Sequence, residues 1–250
     1  MNLLFDIGNT RIKWATLDGG VLSAQRAEPH AEWDNERVHA VVLSGMTRPA
    51  RVIVSNVGGS RVASLVQLAI STRWGIEPEF VTSTAEACGV RNAYPVPQNL
   101  GVDRWLAVIA AHSRSKQLSC IVSCGTAMTI DGVDASGQHL GGVIVPGPGL
   151  MVGSLLRNTS DIATRAQQGS TGDALFADNT LGAIHQGAAH SLAALVERAV
   201  DSMHRSAGTE PKLLLTGGAA PVIERLIFRT HEAVPDLVLQ GLARLSTSRE

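Results

Sequence analysis

No stretch constrains the fold of this chain more than its amino terminus. Met1-Asn2-Leu3-Leu4-Phe5-Asp6-Ile7-Gly8-Asn9-Thr10-Arg11-Ile12-Lys13-Trp14 passes from an apolar run to an acid, a glycine and two short polar residues, then alternates as far as Asp18-Gly19-Gly20. That pattern predicts a buried strand, a tight polar turn and a second strand closed by another turn. Ile121-Val122-Ser123-Cys124-Gly125-Thr126-Ala127-Met128-Thr129-Ile130-Asp131-Gly132 repeats it, down to an Asp-Gly turn, with Gly125 standing 117 residues after Gly8. A repeat near mid-chain predicts two related halves, residues 1–117 and 118–250, without a linker to separate them.

The first turn has the chemistry of a phosphate cradle. Gly8 lets backbone approach a ligand closely, and Asn9 and Thr10 offer side-chain and main-chain donors to phosphate oxygens. Asp6 would be repelled by a bare phosphate, so its place beside the turn makes chemical sense with a cation or a water in between. A nucleotide carrying Mg²⁺ supplies both. An ordinary hairpin with a polar turn also fits these residues.

Around the two hairpins the pattern alternates strands and helices, an α/β signature. Residues 21–40 read as a loose strand and a short helix, 41–43 and 52–57 as strands, 62–74 as a helix and 79–81 as a further strand. Residues 88–99 make a turn-rich loop with Tyr94, the only tyrosine, and Leu100-Gly101-Val102-Asp103-Arg104-Trp105 opens an Ala-rich helix. Asp103 and Arg104 fall near that helix start, where the dipole stabilises a carboxylate and amides can hold an anion; an acid there is also simply a good terminus. Beyond the second hairpin come a strand over 140–145, a helix to about residue 156 and a flexible polar excursion over 157–179. Thr180 precedes a long helix over 181–205, and a buried strand over 213–216 ends in Gly217-Gly218. A helix of about ten residues and a last short helix complete the chain.

Composition and missing motifs narrow the chemistry. A formal charge of −1 with no run of like charge offers no basic field for nucleic acid. No uninterrupted apolar span approaches the ~18 residues of a membrane helix, and no signal-like start is present, so a cytoplasmic globular protein is expected. Cys88, Cys120 and Cys124 contain no CxxC pair and suit reduced thiols, the last two as small buried hydrophobes. Lys13, Lys116 and Lys212 are the only lysines and none follows a glycine, which rules out a P-loop. GxGxxG, GxSxG and HExxH are absent, and the eight histidines are scattered, so Rossmann, α/β-hydrolase and zinc readings fall away.

Phosphoryl transfer remains, a reaction in which positioning and charge stabilisation dominate. Asp6 would order Mg²⁺ through water, while the turns at Gly8, Asn9 and Thr10 and at Gly125 and Thr126 would hold phosphates. Gly217 and Gly218 would let a flat adenine or ribose approach the backbone. Asp103 would take the proton of the acceptor hydroxyl. Lys13 could also reach a phosphate, with a solvated strand lysine as the alternative.

Taken in order, Asp6-Ile7-Gly8-Asn9-Thr10, Asn92-Ala93-Tyr94, Gly101-Val102-Asp103-Arg104-Trp105, Gly125-Thr126-Ala127, Gly141-Gly142-Val143-Ile144-Val145-Pro146-Gly147 and Leu215-Thr216-Gly217-Gly218 make the chain resemble the type III pantothenate kinases, a branch of the superfamily of actin-like ATPases and sugar kinases. The resemblance covers nearly the whole chain. It implies two ribonuclease H-like lobes with a cleft between them, a homodimer, and ATP-dependent phosphorylation of pantothenate, the first committed step towards coenzyme A. It further implies Asp103 as general base, Arg104 holding pantothenate, Tyr94 and Gly101 lining its pocket, and Thr180 reaching that pocket from the other subunit. The family's second phosphate turn commonly begins with aspartate, and here Ser123 stands in that place. A monovalent-cation site for K⁺ or NH₄⁺ near the turn, and part of the metal ligation, thereby lose a carboxylate. Two other readings compete: a non-catalytic accessory relative that binds nucleotide or pantothenate, and a kinase for another small hydroxy acid.

Overall fold

The computed structural model describes residues 1–166, 171–172 and 174–248. In chain order the first elements are β1 (Asn2–Ile7), β2 (Arg11–Asp18), β3 (Val21–Leu22), β4 (Arg26–Pro29), α1 (Asn35–Val38), β5 (Val52–Asn56), α2 (Ser60–Trp74), β6 (Glu79–Phe80), β7 (Glu86–Ala87), β8 (Val90–Arg91) and α3 (Val102–Arg114). Then follow β9 (Ser119–Cys124), β10 (Ala127–Val133), β11 (His139–Pro146), α4 (Pro148–Asn158), α5 (Ser160–Arg165), α6 (Thr180–Ala207), β12 (Lys212–Thr216), α7 (Ala220–Glu224), β13 (His231–Ala233) and α8 (Leu237–Thr247). They form two compact units: residues 1–116 with 136–139 and 236–250, and residues 117–135 with 140–235. The last helix therefore lies with the first unit. There α8 packs so closely on α3 that a Cβ on Gly241 would stand 2.0 Å from the Leu106 carbonyl oxygen.

In the first unit the sheet order is β3-β2-β1-β5-β6, with β4 also on β2. β1 runs antiparallel to β2 and parallel to β5. Leu3, Phe5 and Ile7 bury one face of β1 against Val62, Val66, Ala69 and Ile70 of α2. Since side chains alternate along a strand, Leu4 and Asp6 point to the opposite face, the side on which α8 meets β1 and α3 meets β5. That alternation aims Asp6 towards the helix carrying Asp103.

The second unit repeats the plan, with order β11-β10-β9-β12-β13, β9 antiparallel to β10 and parallel to β12. Cys120, Val122 and Cys124 pack against Leu192, Ala193, Val196 and Val200 of α6. Both thiols behave as the buried hydrophobes expected; burial pushes Cys120 up to about 12, with the Asp131 charge adding to it, and Cys124 up to about 11. Asn179 caps α6 by accepting the Gly182 N–H at 2.8 Å, and Gly208 at φ +71° ends it.

Several sequence expectations need correction. Residues 41–43 are not a strand: they complete a wide helical turn, His39–Leu43, because an apolar run of three carries no period that separates strand from helix. Asp131-Gly132 is no turn but lies inside β10, where Asp131 is buried and the Met203 side chain approaches the Gly132 backbone. The helix after Gly218 is only the five residues of α7, and β13 follows it unannounced. Residues 157–179 include α5, so they are not a plain excursion; positions 167–170 and 173 of that stretch lie outside the described residues. Among the described residues no helix is long and apolar enough to cross a membrane.

Candidate active site

Three neighbouring strands of the first unit set a polar row into an otherwise apolar sheet. Asp6 pairs in register with Lys13 on β2 and with Ser55 on β5, and residues opposite each other in a sheet share a face. Lys13 Nζ lies 3.6 Å from Asp6 Oδ2, and the Ser55 hydroxyl donates to Asp6 Oδ1 at 3.5 Å. Asp6 is 5% exposed and Ser55 fully buried. Burial pushes the Asp6 carboxyl up to about 6; Lys13 opposes that, and the charge of Asp103 pushes it further up. Thus Asp6 and Asp103, remote in sequence, lie near enough for the charge of one to act on the other. Lys13 is not the solvated strand lysine of the alternative, since its side chain is 19% exposed and ion-paired to Asp6.

Asp103 sits in the first turn of α3 and accepts the Arg104 N–H at 2.8 Å. A Cβ on Gly101 would lie 2.7 Å from its Oδ1, so glycine leaves room for the carboxylate. Arg104, buried at 5%, donates from Nη1 to the Tyr94 hydroxyl at 3.1 Å, and its guanidinium carbon stands 5.8 Å from the centre of that ring. Tyr94 stacks on His139 with ring centres 6.3 Å apart, and His139 Nδ1 accepts the Ala93 N–H at 3.4 Å. Asp103, Arg104, Tyr94 and Gly101 therefore form one cluster. Ser55 and His139 belong to it and were not singled out from sequence, because a lone serine or histidine carries no local signal for a partner dozens of residues away.

At the turn between β1 and β2, Gly8 N–H donates to Arg11 O at 3.0 Å. Gly58 backs it so tightly that a Cβ there would come within 2.3 Å of Gly8 O. The polar residues Asn9 and Thr10 are exposed at its tip.

In the second unit, Ser123 takes the place in β9 that Asp6 holds in β1, flanked in register by Thr129 and Thr216. Gly125 N–H donates to Ala127 O, and Gly147 N–H to Thr126 O, both at 2.9 Å. A Cβ on Gly147 would meet Gly125 O at 2.1 Å, and one on Gly217, at φ +95°, would meet Cys124 O at 2.2 Å. Gly125, Thr126, Gly147 and Gly217 thus converge as bare backbone where β9, β11 and β12 end. Gly147 is a further residue that sequence reading left without a role. Thr180 begins α6, half-buried. Among the described residues no three His, Cys, Asp or Glu side chains gather to hold a metal by themselves.

Comparison with known proteins points one way. Residues 2–202 match the family model described as "Type III pantothenate kinase". A type III pantothenate kinase of Nitrosococcus oceani is 41% identical over 98% of this chain and 94% of its own length. One of Alcanivorax borkumensis is 35% identical with both chains fully covered. Among solved structures, component A of (R)-2-hydroxyglutaryl-CoA dehydratase from Acidaminococcus fermentans is similar with a TM-score of 0.55 and 13% identity, covering 98% of this chain and 95% of that one. The activator of 2-hydroxyisocaproyl-CoA dehydratase from Clostridium difficile, solved with bound ADPNP, gives 0.52 at 12% identity, over 98% and 92%. At such identities the structural likeness is one of fold: an α/β protein of two ribonuclease H-like units, as in the actin-like ATPases.

Proposed function

The chain belongs to the type III pantothenate kinase family, and on that premise we propose how its residues divide the work of moving a phosphoryl group from ATP to pantothenate in coenzyme A biosynthesis. Asp103 acts as general base on the pantothenate hydroxyl. Arg104 holds the pantothenate carboxylate, and Tyr94 and Gly101 shape the wall of that pocket. The observation that carries this reading is the cluster at the start of α3, where Asp103 accepts the Arg104 N–H and the buried Arg104 donates to the Tyr94 hydroxyl.

Asp6 serves the phosphates. Its carboxyl is buried, has Lys13 as its counter-charge and feels Asp103 as a second acid, so two carboxylates stand within reach of a divalent cation. Mg²⁺ fits such a place, since it keeps most of its waters and takes one or two carboxylates plus substrate phosphates. When bound, it would neutralise charge on the β- and γ-phosphates. The backbone turn at Gly8, Asn9 and Thr10 holds phosphate oxygens, the turn at Gly125 and Thr126 is suited to the same task, and Gly217 and Gly218 to an adenosine. With Ser123 in a row of hydroxyls, a K⁺ or NH₄⁺ site there lacks a carboxylate.

A cytoplasmic homodimer completes the proposal. Leu140, Val143 and Ile144 on β11, Leu150 and Leu155 on α4, and Leu175 and Phe176 are all exposed large apolar side chains, surface that a second copy would remove from water. A second copy covering them would let Thr180 reach the partner's pantothenate.

The test is phosphopantothenate formation from ATP, Mg²⁺ and pantothenate. Replacing Asp103→Asn should lower turnover by roughly 10²–10⁴ while leaving the melting temperature close to wild type, as loss of a general base requires. Wild-type turnover in that variant would move the base elsewhere. The accessory-protein reading is not favoured by the family membership, and a purified protein that bound both substrates without turnover would revive it.

A further inference from the structure

His30 lies in the segment after β4, 22 residues from Gly8 in sequence, and its ring is 4% exposed. Nε2 stands 2.7 Å from the Gly8 carbonyl oxygen. A carbonyl only accepts, so Nε2 carries the proton and donates. Nδ1 is then the bare nitrogen, buried and without a hydrogen-bond partner. The His30 backbone N–H donates to Thr10 O at 3.2 Å, so the residue grips the phosphate turn at both its ends. The grip is itself anchored: Arg61 Nη2 donates to His30 O at 2.8 Å and to Ala31 O at 3.1 Å, and Arg61 Nη1 donates to Trp33 O at 3.0 Å.

The consequence follows from peptide geometry. In a planar trans peptide the C=O of one residue and the N–H of the next point in opposite directions. Drawing Gly8 O inward to His30 therefore turns the Asn9 N–H outward. Gly58 leaves room for this orientation, since a Cβ there would stand 2.3 Å from Gly8 O. Likewise, the bond from His30 N–H to Thr10 O fixes the Thr10–Arg11 peptide. The Asn9 N–H has no hydrogen-bond partner among the described residues and stands at an exposed turn, ready for an anionic oxygen.

We infer that His30 is a positioning residue of the kinase, holding the Gly8 peptide so that the Asn9 N–H is aimed at a phosphate oxygen of the nucleotide. It touches no substrate and acts through the turn. A buried donor of this kind preorganises the cradle before the nucleotide arrives, so the ordering cost is not met on binding. This rests on the reading of the Gly8 turn as the phosphate cradle.

The experiment compares His30→Leu, which keeps bulk and loses the donor, with His30→Gln, which retains an N–H donor on a flexible stem. Affinity for the non-hydrolysable analogue AMPPNP with Mg²⁺, KM for ATP, KM for pantothenate and kcat are measured for each, together with the Asn9 amide resonance during AMPPNP titration. The expected result is about a tenfold loss of nucleotide affinity in His30→Leu, the scale of one hydrogen bond's orientation, with pantothenate KM unchanged. His30→Gln should recover most of that loss, and the wild-type Asn9 amide should shift on titration while that of His30→Leu shifts less. Wild-type nucleotide affinity in His30→Leu, or an equal loss for both substrates and both variants, would overturn the inference. An Asn9 amide that ignores AMPPNP in a wild-type enzyme of full turnover would instead overturn the cradle reading on which it rests.

Discussion

β1, β2 and β5 place Lys13, Asp6 and Ser55 side by side across the first sheet, while β10, β9 and β12 place Thr129, Ser123 and Thr216 in the same three seats of the second. Each unit has a glycine after its parallel strand packed on the backbone where the first strand ends, and the strand order and the direction of each central pair are shared. The charges are not. In those three seats one unit keeps a buried carboxylate with its lysine, and a second acid nearby, and the other keeps only hydroxyls. A duplicated backbone therefore carries two kinds of surface: buried charged side chains in the first row, and bare backbone around Gly125, Gly147 and Gly217 beside the second; on the proposed reading the first supplies charge and proton transfer and the second shape.

The sharpest way to break this contrast is to erase the charge that distinguishes the first row. Asp6→Asn should cut turnover by about 10²–10³, the scale of losing one preorganised electrostatic element. It should also stabilise the fold. The carboxyl is raised from 3.8 to about 6, chiefly by burial, so the folded state holds its proton more tightly than the unfolded chain does. The stability belonging to protonated Asp6 is complete below about pH 4 and is lost as pH rises through about 6. At pH 8 the variant escapes a penalty of about 1–3 kcal/mol, a rise of a few degrees in melting temperature, and that advantage should vanish near pH 4. Thermal melts across that range read it directly. A variant less stable than wild type at pH 8 would mean that the Lys13 pairing outweighs the burial of the carboxylate. Activity, which needs the ionised form, should fall as pH drops through about 6.

The shared device is open to a paired test. Gly58 and Gly217 each follow the parallel strand and press on the end of the first strand, at 2.3 Å from Gly8 O and 2.2 Å from Cys124 O for an added Cβ. Only Gly217 also has a positive φ, of +95°. Alanine at either position must push backbone aside, and at Gly217 it must adopt a conformation that L-residues avoid as well. Denaturant unfolding should show about 1–3 kcal/mol lost for Gly58→Ala and about 2–4 for Gly217→Ala. Equal losses would show that crowding alone sets the cost.

Where the sequence was legible, it was because the signal was local. The opening hairpin, its repeat, α2, α3 and α6 carry their own periodicity, caps and breakers, and a glycine beside Asp103 announced the start of α3. What stayed hidden came from contacts made at distance. Ser55 meets Asp6 through a parallel pairing, and His139 meets Tyr94 across 45 residues of chain. His30 reaches Gly8 from beyond a neighbouring strand, and no spacing rule links such residues. Asp131-Gly132 misled because the same dipeptide closes a turn after β2 and sits inside β10. The run at 41–43 misled because burial and strand formation look alike in three apolar letters.

The smallest expected effect tests whether the neutral row of the second unit is a deficiency or a choice. Ser123→Asp would give that sheet the carboxylate its counterpart has, yet without the lysine, since Thr129 occupies the seat matching Lys13. Ser123 is half-buried beside the Gly125 turn, so the new charge would repel the nucleotide unless a cation joined it. In Na⁺ buffer the KM for ATP should rise about two- to fivefold, the range of a partly solvated charge interaction, and K⁺ or NH₄⁺ should restore it. The wild type should respond little to the exchange of Na⁺ for K⁺. If the wild type itself depends on K⁺, then hydroxyls and backbone carbonyls hold the cation unaided, and the two rows differ in charge without differing in the need for a cation.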